Sequence, residues 1–421
     1  MTTDPKVLIL QNGYFPSSNA NIICSKHIAD KLNEQGIPVD FFVYKQKPDE
    51  VDKQDGINNV FYITNKFNKA FYKYEKKGIP YTTLTKQKKL ITVLFRNPFI
   101  MLTKIKSHFD LGSETLDKKQ LLAKIKAEHA KQPYTHMVNI CCPFGTMKWA
   151  HTIKKELPDI KWAMYMLDPF EYNYTVPTRK IGKRKKLFAK YTKGLDKLIL
   201  TRGIDAEHQR CNYDNGHKNI TLEVDLPNLK KPQHTISKAP KSDKTNLIYA
   251  GAFYKDIRNP DKMLEIFGKL PNPDIVFNIF GTAAGYITQS ASNIDPRIAL
   301  HGTKPHDEIV KQMVASNILV NLGNTAPNQL PSKVFEYIAT GKPIANFYFN
   351  EHDTSLYYFK KYPLAFNINV MNYTDKDIAE LGKFIHGNKD KQLTFEQATK
   401  DLHEALSENV CKKIVDAILC D

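Results

Sequence analysis

Ser332, Lys333 and Glu336 stand close together in the stretch NLGNTAPNQLPSKVFEYIATGKP, which runs from Asn321 to Pro343. A hydroxyl, an ammonium and a carboxylate at this spacing share one face of a helix. Ser332 is a good N-cap residue, and a helix start offers unpaired backbone N–H groups and about half a positive charge. Such an end suits a diphosphate, and Lys333 adds a full charge there. Glu336, one turn along, can accept hydrogen bonds from sugar hydroxyls. The same residues also fit an ordinary capped surface helix with Glu336 in water. Asp168 closes an apolar run just before Pro169. A carboxylate there can take a proton from a hydroxyl, or can simply start a turn. His27, His136 and His151 are weaker candidates for that base, since lone histidines are more often structural. Asp375-Lys376-Asp377 has a D-x-D spacing but reads as the first turn of a helix, so no metal site is expected.

The elements that must position these groups alternate strand and helix. Lys6–Gln11 is a buried-strand run that leads into Gly13; a helix follows to about Gln35, stopped by Gly36, and Val39–Tyr44 is the next strand. This is a βαβ unit with Gly13 in the loop at the carboxyl end of its first strand, where such sheets bind ligands. It lacks GxGxxG, which argues against a nicotinamide or flavin site. Further on come a helix at 118–130 and strands at 137–141, 161–167, 198–200 and 220–224. Pro227–Lys244 is rich in Pro, Lys and Ser and reads as a linker. A second alternation opens at Asn246–Ala250, with strands at 275–280, 298–301, 318–321, 343–348 and 363–368. Helices are expected from Asp261 to about Leu270, and at 305–316, 332–340, 375–387 and 402–418. The fold class is α/β: two doubly wound Rossmann-like domains facing a cleft. The first spans 1–230, the linker 231–245 and the second domain 246–400, while 401–421 is a C-terminal helix able to pack back on the first domain.

Of the 421 residues 42% are hydrophobic and 25% charged, as in a soluble globular protein. The start of the chain has neither the basic nor the apolar region of a signal peptide, and no apolar run reaches membrane-spanning length. Six cysteines without a C-x-x-C pair argue against zinc and against a disulfide framework, so a reduced, cytoplasmic setting is expected. The net charge of +17 is concentrated. Eleven Lys and Arg fall in 61–106 against Glu75 alone, and nine fall in 178–197 against Asp196 alone. Cations alternate with aromatic and aliphatic residues over 61–109, the pattern of an interfacial membrane helix, although a helix pair with a solvated basic face fits as well. The basic half implies an anionic partner. No nucleic-acid-binding motif accompanies it.

With these residues in view, the chain resembles the two-domain GT-B nucleotide-sugar glycosyltransferases, specifically glycosyltransferase family 4. SKVFEYIATGKP looks like that family's donor helix, written as a Glu, seven residues, a second Glu and an A-x-G-x-P ending. Glu336 and Ala339-Thr340-Gly341-Lys342-Pro343 match it; the first Glu of the pair falls at Asn328. YAGAFYKDIRNPD, residues 249–261, is similar to the loop where a Gly-Arg pair and a downstream Lys clamp the diphosphate. Gly251 keeps its place, Ala252 stands at the Arg position, and Lys255 and Arg258 are the available cations. Gly281 with Gly285, and His301-Gly302, resemble the loops that hold base and ribose. The first half matches in architecture only.

The resemblance implies a sugar transferred from a UDP- or GDP-sugar, without a cofactor or metal, to a lipid-linked or glycan acceptor at the inner face of the plasma membrane. It implies retention at the anomeric carbon. Arg258, Lys333 and the start of helix 332–340 would stabilise the leaving diphosphate and Glu336 would bind ribose; apart from the resemblance, the strand-end position of Asp168, facing the cleft in this architecture, makes it the candidate acceptor base. Gly13, Gly251, Lys255, Gly281, His301, Gly302, Asn328 and Ser332 complete the expected donor site. The alternative is a non-catalytic protein of the same fold that stabilises a partner glycosyltransferase, which Asn328 and Ala252 keep open. An epimerase of the same fold would have no use for the basic surface.

Overall fold

The structure is a computed structural model that describes residues 4–12, 20–44, 59–63, 118–141, 144–173, 177–232, 243–281 and 295–420. Two parallel sheets organise these residues. The first contains β1 (Val7–Asn12), β2 (Val39–Tyr44), β3 (Asn59–Ile63), β4 (His136–Cys141), β5 (Lys161–Met166), β6 (Lys197–Thr201) and β7 (Thr221–Val224). Its order is β3-β2-β1-β4-β5-β6-β7. The second contains β8 (Thr245–Ala250), β9 (Ile275–Phe280), β10 (Ile298–Gly302), β11 (Ile318–Leu322), β12 (Ile344–Tyr348) and β13 (Ala365–Asn369), in the order β10-β9-β8-β11-β12-β13. This is the α/β architecture expected from the alternation.

Parallel sheets carry helices on both faces, so their strands read as unbroken apolar runs. In β1, Val7, Ile9 and Leu8, Leu10 are all fully buried, the first pair in one core and the second in another. A third core fills the outer face of the second sheet around Phe267, Phe277 and Leu381. The inner core is shared: Ile9 and Tyr165 of the first sheet belong to the same apolar cluster as Ile248, Tyr337 and Tyr358 of the second domain. Helix Ser407–Leu419 lies in that cluster through Val410, Ile414 and Ile418. It is anchored by Ser407, whose N–H donates to Leu229 O at 2.8 Å and whose hydroxyl donates to Pro227 O at 2.8 Å. Leu229, at the start of the Pro- and Lys-rich run 227–244 and within the expected first domain, is a buried packing residue.

One expectation changes here. The pattern of an interfacial helix is expected to begin at 61, but 61–63 belong to edge strand β3. Its alternation explains this: Val60 and Tyr62 face one core, Phe61 and Ile63 the other, and Phe61 stacks on Phe42 at 4.9 Å. The rest of the basic and aromatic stretch, with its expected interfacial helix, lies outside the described residues, as do Gly13 and Gly285. No described helix is long and apolar enough to cross a membrane. The basic run near 179–193 forms helix Ile181–Tyr191 after a short turn, Thr178–Lys180.

In each sheet the strand order reverses beside the first strand of its domain, and ligands bind in α/β sheets at such a reversal, outside the carboxyl ends of the strands. For the second sheet that point lies between β8 and β11. The loops that leave it are 251–260 and 323–331.

Candidate active site

The loops after β8 and β11 are bound to each other. Thr325 N–H donates to Ile257 O at 2.8 Å, and its hydroxyl to Asp256 O at 2.9 Å. Tyr254 and Arg258 close the first loop by a pair of backbone hydrogen bonds of 3.2 and 2.9 Å. Tyr337 supports the end of β8, its buried hydroxyl accepting from Ala250 N–H at 3.0 Å. Together these loops form one wall of a cleft of about 460 Å³. The opposite wall comes from the first domain and includes Asn21, Leu167, Asp168 and Leu226.

Five of the expected site residues line that cleft: Asp168, Gly251, Arg258, Ser332 and Lys333. Arg258 is held by its side chain, Nε and Nη2 both donating to Asn324 Oδ1 at 3.0 and 2.7 Å. Asn324 is 2% exposed, and its amide donates to Gln329 O at 3.0 Å. Gln329 then crosses the cleft, Nε2 donating to Asp168 Oδ1 at 2.8 Å. A cation of one domain and a carboxylate of the other are thus joined by a chain of hydrogen bonds. Asn324 and Gln329 were not singled out in the sequence. Their only signal was membership of a polar loop after a strand, and nothing in spacing shows which loops will meet.

Ser332 departs from its expected role. Its backbone is already helical, φ −58° and ψ −27°, and its hydroxyl makes no cap bond to helix Lys333–Ala339. A capping side chain needs an extended backbone to reach back over the first turn. The first turn is instead closed by Pro331 O and Ser332 O, which accept from Val334 and Phe335 N–H at 3.2 and 3.3 Å. Fewer backbone donors therefore face the cleft than an open helix start would supply. Lys333 Nζ lies 3.4 Å from Glu336 Oε2, both side chains being 30% exposed. Glu336 lies beside the cleft rather than among its lining residues.

The remaining expected donor residues lie around this wall. Lys255 is exposed on the loop after β8. Gly251 N–H donates to Phe280 O at 2.9 Å and Gly281 N–H to Gly302 O at 2.8 Å, so both are spent on joining strand ends. Gly281 has φ +137°, and a Cβ there would sit 1.8 Å from Gly251 O. Only glycine lets β8 and β9 end so close together. The His301 ring stacks on Phe280 at 4.4 Å, and its Nε2 is 2.8 Å from Asn278 Oδ1. Asn328 is 1% exposed and donates to Tyr172 O of the first domain at 3.1 Å. The position where the family has a carboxylate thus serves here as a contact between domains. Gly203 meets the same segment, a Cβ there falling 3.0 Å from Asn328 O.

The histidines are structural. His27 Nδ1 donates to Pro227 O at 2.6 Å, His151 Nδ1 to Lys193 O at 3.2 Å, and His136 opens β4 at the end of the sheet away from the cleft. Asp377 completes a capping box with Thr374, whose N–H donates to it at 2.8 Å, as the D-x-D segment was read. Among the described residues no group of His, Cys, Asp or Glu is arranged to hold a metal ion.

Glu171, three residues past Asp168, is fully buried. Burial pushes its carboxyl up to about 7, against the pull of the Tyr213 hydroxyl, Arg184 and Lys185. His208 Nε2 lies 3.8 Å away, held down to about 4 by its own burial.

Comparison with solved structures finds this fold over nearly the whole chain. The lipopolysaccharide outer core galactosyltransferase WaaB, in its apo form, superposes with a TM-score of 0.62 at 10% identity, covering 98% of this chain and 99% of that one. Sucrose-phosphate synthase from Thermosynechococcus elongatus gives 0.59 at 12% identity, over 98% of this chain and 94% of that one. HepE from Anabaena, in complex with UDP and glucose, gives 0.54 at 12% identity, over 98% and 95%. No protein-family model and no curated protein sequence matches the chain. At these identities the likeness is one of fold: the chain has the GT-B fold of glycosyltransferases.

Proposed function

We propose that the chain transfers a sugar from a nucleoside-diphosphate donor, a UDP- or GDP-sugar, to a glycan or lipid-linked acceptor at the cytoplasmic face of a membrane. The observation that carries this reading is the cleft in which Arg258 and Lys333 of one domain face Asp168 of the other. Breaking the bond from anomeric carbon to phosphate leaves cationic character on the sugar and negative charge on the diphosphate. Arg258, held by Asn324, and Lys333 supply a positive field for that charge, so the reading calls for no metal ion. Asp168 accepts the proton of the acceptor hydroxyl. For Lys333 to serve, it turns from Glu336 towards the phosphate, which frees Glu336 for the ribose hydroxyls. The HepE structure, with UDP and glucose, supports a donor of this class for the fold.

The basic helix Ile181–Tyr191 supports the membrane side of the proposal. Arg184 and Lys185 are turned onto aromatic rings, Arg184 4.7 Å from Phe170 and Lys185 4.3 Å from Tyr213. Arg179, Lys180, Lys183, Lys186, Lys190 and Lys193 remain exposed. They make a cationic face for anionic lipid.

The test is release of nucleoside diphosphate from a panel of UDP- and GDP-sugars, with and without bacterial lipid extract, in wild type and Asp168→Asn. Acceptor-dependent release that Asp168→Asn reduces by about a hundredfold or more is the expected result. Nucleotide binding with no turnover of any donor would favour the non-catalytic alternative. The anomeric configuration of the product, read by NMR, tests the retaining course.

A further inference from the structure

We infer that Asn324 is a positioning residue that aims Arg258 at an anionic ligand; this rests on the reading of the cleft as a nucleoside-diphosphate site. Arginine carries its donors in a rigid fork, and its use depends on which edge is held. Here Nε and Nη2 share one acceptor, Asn324 Oδ1, at 3.0 and 2.7 Å. That fixes one edge of the guanidinium against the protein, the Tyr249 hydroxyl is a further hydrogen-bond neighbour, and the remaining donors of the fork, in the cleft wall, are the ones offered to a ligand oxygen. Asn324 is itself fixed: it is 2% exposed, and its amide nitrogen is tied to Gln329 O at 3.0 Å. An amide is suited to this place because it accepts from the guanidinium with one end while donating to a carbonyl with the other. An aspartate would hold Arg258 more strongly, but would set a negative charge beside the diphosphate and lose the bond to Gln329. A guanidinium already oriented in the free protein loses less freedom when ligand binds, and this appears as affinity. The loop that carries Asn324 also carries Gln329, so the cation is placed relative to Asp168 by the same few residues.

Isothermal titration of UDP and GDP into wild type, Asn324→Leu, Arg258→Leu, Arg258→Lys and the Asn324→Leu/Arg258→Leu double variant tests this. The expected result is that each single variant, Arg258→Lys included, weakens binding by about tenfold, since a lysine keeps the charge but cannot be held by two donors. The double variant then binds no more than about twofold more weakly than Arg258→Leu alone. If Asn324→Leu weakens binding as much in the Arg258→Leu background as in wild type, its role is general loop support and the inference is overturned. Wild-type affinity in Arg258→Lys would overturn it equally, because bare charge would then suffice, and that arm stands even if Asn324→Leu does not fold. A wild-type protein that binds neither nucleotide would instead bring down the reading of the cleft itself.

Discussion

Gln329 and Asp168 belong to different domains, and their side chains meet at 2.8 Å across the cleft. The glutamine sits on the loop after β11, the aspartate on the loop after β5. One carboxylate oxygen, Oδ1, accepts this bond; in the proposed mechanism Oδ2 is the atom that takes the proton of an acceptor hydroxyl. Asn328, the neighbour of Gln329, reaches the same first-domain loop at Tyr172. The wall that carries the cations is thus registered against the carboxylate by adjacent side chains.

Gln329→Leu removes that registration while keeping bulk in a half-buried position. Turnover is expected to fall by about tenfold to a hundredfold, the range for a misplaced catalytic group, while nucleotide affinity changes by less than about twofold. Steady-state kinetics beside titration calorimetry separates the two. Equal losses in both would show that Gln329 supports the loop rather than Asp168.

Glu171 predicts a pH dependence of stability. Its carboxyl is at about 7 in the folded chain, above the ordinary carboxylate value. Between those two values the unfolded chain has released the proton and the folded chain still holds it, so stability declines as pH rises through this window and levels off above about 7. Glu171→Gln is therefore expected to gain about 3 kcal/mol at pH 8 and little at pH 4. Chemical denaturation at the two pH values reads this. A gain of the same size at both would refute the assignment.

Gly281→Ala is expected to cost about 3 kcal/mol, because a Cβ would meet a backbone carbonyl and the φ is one that side chains avoid. The carbonyl belongs to Gly251, in the cleft wall, so nucleotide affinity falls as well. An alanine variant with wild-type melting and affinity would contradict the close approach of β8 and β9.

Lys183, Lys186 and Lys190 lie one and two turns apart on helix Ile181–Tyr191, all exposed. Changing the three to alanine is expected to weaken binding to phosphatidylserine vesicles at low salt by about a hundredfold, at about 1 kcal/mol per cation. Vesicle flotation measures it. Wild type that stays unbound at low salt would remove the membrane from the account.

The alternation of buried runs and amphipathic segments made both sheets legible, because parallel strands announce themselves as apolar runs such as VLIL at 7–10. β3 was missed because five residues facing two cores show little contrast with the basic stretch after them. In the candidate site, Arg258, Lys333 and Asp168 line one cleft, and they could be singled out because the strand–helix alternation shows which loops lie at the carboxyl ends of strands. Asn324 and Gln329 could not, since their meaning lies in partners 66 and 161 residues away. Ser332 was misread for a local reason: its identity suits a cap, but Pro331 leads it into the helix with backbone already helical.

The central claim is that the cleft between Arg258, Lys333 and Asp168 holds a nucleoside diphosphate. Thermal melting with UDP or GDP at about 100 times the dissociation constant measures it most directly. One of the two nucleotides is expected to add about 2.7 kcal/mol of stability. The gain is expected to vanish when Arg258 and Lys333 are both changed to leucine in a protein that still folds. No shift with either nucleotide, or a shift that survives the loss of both cations, would contradict it.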